Sequence, residues 1–289
     1  MQTAQPMLSS PIKWVGGKSK SRKEIIRLLP TDAECYAEVF AGAGWVLFGK
    51  PSHPVEVLND KNGDLVNLWR VLKHRPAELL ERVQQNLYSR ETFMEIRKMR
   101  PDVWDELGRA EWLYLLIQQS FGADVSRGGF ACASNLPRGL FHSKSLAQFA
   151  PAYERLSGVF IENLDFADLI NRYDQPRTVF FCDPPYFDTF GYTEAFSLTD
   201  HERLATTLYG IKGRFLLTIN DHPAVRDLYK GMVIQERLEA RALSNAAEGR
   251  VAAPILFIAN YDIDCGCGAR IDAPVKDPFT TGLFADDIA

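Results

Sequence analysis

Apolar and polar positions follow two different periods along this chain. Residues 25–29 belong to a basic helical stretch, and residues 33–40 form an apolar run closed by a glycine turn, Ala41-Gly42-Ala43-Gly44. That run reads as a buried strand. A helix follows, then a short strand over residues 55–58 that ends in Asn59-Asp60. Strand, helix, strand predicts a βαβ unit opening a doubly wound sheet. From about residue 64 to 121 the period becomes helical. Leu65, Leu68, Trp69 and Leu72 share one face, as do Leu113, Leu116 and Ile117. A loop rich in small and polar residues covers about 122–145. Strand-type runs resume at 159–161, 178–182, 214–219 and 254–261. The expected fold is α/β: a parallel sheet from residues 1–64 and 151–289, split by a helical insert over 65–150.

Composition narrows the class. The chain has 289 residues, 46% hydrophobic and 24% charged, which excludes a disordered tail, a collagen and a small disulfide-stapled domain. No apolar run approaches the roughly 18 residues of a membrane helix, and no signal-peptide pattern opens the chain. The five cysteines are sparse and odd in number, as suits a reducing compartment. A cytoplasmic protein is expected. Cys265-Gly266-Cys267 has no partner pair at metal-binding spacing, so no metal is expected.

The strongest chemical signal is Asp183-Pro184-Pro185-Tyr186, directly after the apolar run 178–182. In open α/β sheets, ligands bind beyond the carboxyl ends of the strands. A carboxylate accepts a hydrogen bond from an exocyclic amino group. The prolines fix φ and remove two N–H donors, leaving carbonyls as acceptors. Tyr186 offers a flat face to a base. An amine held by two acceptors points its lone pair at an electrophile, so its proton can leave after transfer rather than before. Asp183, Pro184, Pro185 and Tyr186 are the catalytic candidates.

Two further segments suit a nucleoside cofactor. Glu38-Val39-Phe40-Ala41-Gly42-Ala43-Gly44 ends a strand in Gly-x-Gly, which permits close backbone approach. The third glycine of a dinucleotide fingerprint is replaced by Leu47, which disfavours a pyrophosphate cofactor. Asp60 ends the next strand, where an acid takes ribose hydroxyls, the lesser alternative being a cap for the helix that starts at Asn62. Lys13-Trp14-Val15-Gly16-Gly17-Lys18 supplies an indole and two cations able to close over an adenosine or a carboxylate.

In chain order, from Lys13–Lys18 through Glu38–Gly44 to Asp183–Tyr186, these three motifs resemble the Dam-like, α-group DNA adenine N6-methyltransferases, over about residues 10–60 and 155–262. The resemblance implies a Rossmann-like sheet of the S-adenosylmethionine-dependent methyltransferase type with an inserted helical target-recognition domain. It implies S-adenosylmethionine as cofactor, with Trp14, Lys18, Asp60 and Asp183 at cofactor-contacting positions, Glu38, Phe40, Gly42 and Gly44 in the glycine-turn motif, and Asp165-Phe166 lining the adenine. Tyr192 and Phe196 follow the tetrapeptide as in phage-type members, and Thr218-Ile219-Asn220-Asp221 resembles a late active-site segment. The recognition loop departs from the Asn-Gly-Leu-x-Arg pattern, reading Phe121-Gly122-Ala123-Asp124-Val125-Ser126-Arg127, so GATC specificity is not carried over.

Charge distribution fits double-stranded DNA as partner, with no membrane and no obligatory protein partner. The net charge is −4, yet residues 1–30 hold six Lys and Arg against the single acid Glu24, and residues 125–153 hold no Asp or Glu. Arg127, Asn135, Arg138 and Lys144 in that stretch are the candidate DNA contacts, and Phe121 or Phe130 could fill the space left by an extruded base. Rival expectations are amino-group methylation of RNA or of protein glutamine, and a catalytically silent DNA-binding relative.

Overall fold

The computed structural model describes residues 7–86, 88–99, 104–131, 146–187, 196–240, 252–263 and 270. Its first helix, α1, covers Arg22–Leu28. The βαβ unit follows as β1 (Cys35–Glu38), the short α2 (Trp45–Gly49) and β2 (Val55–Asn59). Four helices come next: α3 (Gly63–His74), α4 (Pro76–Gln84), α5 (Arg90–Lys98) and α6 (Glu106–Gln119). Three of them start on side-chain caps, Asn62, Ser89 and Asp105. The chain returns through α7 (Phe149–Leu156), β3 (Val159–Glu162), α8 (Phe166–Tyr173) and β4 (Thr178–Cys182). It ends in α9 (Leu198–Gly210), β5 (Arg214–Asn220), α10 (Pro223–Leu228), β6 (Val233–Ala240) and β7 (Ala252–Ala259).

The seven strands lie in the order β3-β2-β1-β4-β5-β7-β6. Five are parallel, and β7 runs antiparallel to both β5 and β6. One expectation is corrected here, and one alternative is removed. The sheet is mixed rather than parallel throughout, because β6 and β7 form an antiparallel pair, and β6 has no counterpart in the hydrophobic pattern. Its sequence, VIQERLEA, is half polar because it is an edge strand, where charge blocks unwanted pairing. Asp60 does not cap α3. Asn62 does, accepting from the amides of Asp64 and Leu65.

Helices cover both faces of the central strands, so β4 and β5 are buried along their whole length. Alternation still assigns the faces. Val179 and Phe181 join one core, with Leu65, Leu68, Leu113 and Leu116 from α3 and α6. Phe180 and Cys182 join the other, with Leu169, Leu204 and Val225 from α8, α9 and α10.

Candidate active site

The chain runs outward from β1 to β2 to β3, then crosses back to place β4 on the other flank of β1. Loops leaving β1 and β4 therefore diverge, and a crevice opens beyond their carboxyl ends. A cavity of about 670 Å³ occupies that position, within the range of small-molecule sites. Of the residues singled out by sequence, Trp14, Lys18, Glu38, Phe40, Gly42, Asp60, Asp165, Phe166, Asp183, Pro184, Pro185 and Tyr186 line it. Gly44 does not. It stands behind the wall as the N-cap of α2, with φ +63°.

At one end lies Asp183. Its Oδ2 is 2.7 Å from Lys18 Nζ, and its Oδ1 accepts from the Thr218 hydroxyl at 2.8 Å. Lys18 also donates to the Gly16 carbonyl at 3.0 Å and stands 4.9 Å from the centre of the Tyr186 ring. Thr218 is fully buried on β5, and two residues on, Asn220 donates to the Phe187 carbonyl at 2.9 Å. Two polar side chains on one face of β5 thus hold both ends of the Asp183–Phe187 segment. Sequence singled out the Thr218–Asp221 stretch without giving either residue a role. The available signal was a threonine and an asparagine in an otherwise apolar buried run.

The middle of the cavity is built on the glycine turn. Gly42 has φ +47°, and a Cβ there would lie 3.0 Å from the Trp14 ring. Its amide donates to Asp60 Oδ2 at 2.9 Å, and Asn62 N donates to Oδ1 at 2.9 Å. Burial still pushes the Asp60 carboxyl above its ordinary range. Glu38 is buried, accepting on Oε2 from the Leu47 amide and the Tyr36 hydroxyl, each at 2.9 Å. Burial outweighs these two bonds and pushes its pKa up to about 7. Asn59, to which sequence gave no role, ties three strand ends together. Its amide donates to the carbonyls of Val39 and Leu164, and its oxygen accepts from Leu164 N.

At the far end, the rings of Phe40, Phe166 and Phe196 lie 5.5–5.8 Å apart, centre to centre. Asp165 caps α8 through the Ala167 amide at 3.0 Å while facing the cavity. Arg203 of α9 also lines this end, and the sequence offered no motif for it.

The remaining candidates lie elsewhere. Phe121 begins a single 3-10 turn (Phe121–Ala123) after α6 and is 55% exposed. Arg127 is exposed on the loop that follows. That loop is tied down: Asp124 accepts from the amides of Ser126 and Arg127, Arg97 donates to the carbonyls of Ser126 and Gly128, and Phe130 packs against Tyr88 and Phe93. Asn135, Arg138, Lys144, Tyr192 and the Cys265/Cys267 pair lie outside the described residues. Among the described residues, no cluster of three or more His, Cys, Asp or Glu side chains is placed to hold a metal ion. No described helix is long and apolar enough to cross a membrane.

Comparison with known proteins agrees with this geometry. The sequence profile of the D12 class N6 adenine-specific DNA methyltransferases matches residues 14–244. The chain is 26% identical over 264 residues to the type II methyltransferase M.CviBI of Paramecium bursaria Chlorella virus NC1A, covering 86% of this chain and 98% of the relative. It is 27% identical over 270 residues to the type II methyltransferase M1.LlaDCHI of Lactococcus lactis subsp. cremoris, covering 86% and 94%. It is 28% identical over 239 residues to the DNA adenine methylase of Escherichia coli K12, covering 76% and 83%.

Proposed function

Because the chain belongs to the D12 class of N6 adenine-specific DNA methyltransferases, we propose that its switch-point cavity holds S-adenosylmethionine and an extruded adenine side by side, with Asp183 between them. The observation that carries this reading is the location of Asp183-Pro184-Pro185-Tyr186 on the wall of the cavity that also gathers the glycine turn, Asp60 and Asp165. The donor set suits the cofactor. A Cβ at Gly42 would meet Trp14, so the turn is kept bare for close approach. Asp60 stands where ribose hydroxyls are taken, and the phenylalanine end offers aromatic faces to a purine. When bound, S-adenosylmethionine supplies an electrophilic methyl group.

The chain's own residues do the rest. Asp183 and the Pro184 carbonyl accept from the two protons of the target amino group, which turns the nitrogen lone pair toward the methyl carbon. Thr218 fixes one oxygen of Asp183, and Lys18 neutralises the buried charge until the amine arrives. Tyr186 gives the extruded base a ring to stack on. Extrusion from the duplex costs a few kcal/mol, offset by this stacking and by the amine contacts. The segment over 65–150 serves as the target-recognition part, with Phe121, Arg127, Asn135, Arg138 and Lys144 toward DNA.

Asp183→Asn tests the central role, because it keeps the shape and removes the charge. The expected result is a fall in tritiated methyl transfer to duplex DNA of about 10²-fold or more in a protein that still unfolds cooperatively, its melting temperature lowered because Lys18 loses its counter-charge. Turnover within a few-fold of the native protein would overturn the assignment.

A further inference from the structure

We propose that Arg203 is a positioning residue that makes the far end of the cavity selective for an aminopurine, an inference resting on the cofactor reading above. Arg203 extends from α9 across to Asp165 as a fork. Its Nη1 donates to Asp165 Oδ1 at 3.1 Å and its Nη2 to Oδ2 at 3.0 Å. The same Nη2 reaches Asp200 Oδ1 at 3.2 Å. Asp200 is itself fixed, since it and Ser197 form a reciprocal cap at the start of α9. The guanidinium carbon lies 4.2 Å from the centre of the Phe166 ring, so the group is held flat as well as at its tips.

The consequence follows from counting acceptors. A carboxylate offers about four lone-pair positions. On Asp165, Oδ1 already accepts from the Ala167 amide and from Arg203. Oδ2 accepts from Arg203 alone, with the exposed Lys61 ammonium no closer than 3.9 Å. One acceptor position therefore remains on Oδ2, and Asp165 lines the cavity together with Phe40, Phe166 and Phe196. A purine on those rings finds an acceptor in a fixed orientation. An exocyclic amine satisfies it, whereas a carbonyl at the same place sets two acceptors against each other. A lysine at position 203 could not hold both oxygens at once.

A pin between α8 and α9 with no further role would act on stability alone. Arg203 and Asp165 are both partly solvated, so their ion pair contributes little to folding. Calorimetry of S-adenosylhomocysteine and of its deaminated analogue S-inosylhomocysteine separates the two roles. The native protein should prefer the amino compound by more than about tenfold. Arg203→Ala and Arg203→Lys should each weaken S-adenosylhomocysteine about tenfold and shrink the preference to a few-fold, with the melting temperature of the free protein unchanged. In turnover, KM for the methyl donor should rise while kcat at saturation stays within about twofold. Unaltered preference in both variants, or a loss of melting temperature without a loss of preference, would overturn the proposal. Failure of the native protein to bind either compound would overturn the cofactor reading instead.

Discussion

Glu38 shows how much one buried side chain carries. It ends β1, is 2% exposed, and joins the cavity wall to α2 through the Leu47 amide. Its folded pKa of about 7 lies above the ordinary 4.5, so the protonated form is the one that folding favours. The stability this contributes is complete below about pH 4.5 and is lost as pH rises through 7. Glu38→Gln keeps an acceptor for Leu47 and abolishes the titration. In denaturant titrations it should match the native protein in acid and exceed it by on the order of 3 kcal/mol at about pH 8. Equal pH dependence in both proteins would remove Glu38 as the cause. Residues of this kind were legible wherever the chemistry is written contiguously, as in Asp183 to Tyr186 or Gly42 to Gly44. They were illegible where the partner is remote. Nothing near Arg203 announces Asp165, and nothing near Thr218 announces Asp183, because strand order and helix packing, not sequence neighbours, bring them together.

Among the elements, α2 is five residues long and cannot stand on its own propensity. It is held from outside. Leu47 donates its amide to Glu38 and accepts at its carbonyl from Arg155 of α7, at 2.9 Å. Arg155 also grips Glu56 of β2, which in turn pairs with Lys50 at the C-cap of α2. His53, whose pKa burial and the Lys50 charge lower to about 4, stays neutral beside Lys50. All three charges of the Lys50–Glu56–Arg155 group are nearly inaccessible. Removing one leaves the others unpaired, so Glu56→Ala should cost about 3–5 kcal/mol in urea unfolding. Replacing all three by apolar residues of similar size should cost much less than three such losses. A loss below about 1 kcal/mol for Glu56→Ala would contradict the arrangement. The helix at α2 was expected from its place between two strands, whereas the element the sequence hid is β6: the apolar strands and the amphipathic α3 declare their burial, and β6 is a charged edge.

For the whole molecule, the net charge of −4 is unevenly distributed. The acid-free stretch over 125–153 begins in the loop that Arg97 and Asp124 fasten to α5 and α6, so Arg127 is presented from a fixed base. Phosphate contacts release counterions, and each contributes to the salt dependence of binding. Arg127→Ala should weaken duplex binding at low salt and lower the slope of log affinity against log salt by about one. An unchanged slope would move the contact to another residue. The pairing of Lys18 with Asp183 has a consequence for biosynthesis. The lysine precedes β1 and the acid follows β4, with the four helices α3 to α6 between them. A nascent polypeptide that has left the ribosome only as far as α7 carries Lys18 and the glycine turn but not Asp183. On the role proposed for Asp183, a product terminated before β4 would transfer no methyl group, and that capacity would arrive late in translation, once both halves of the sheet exist.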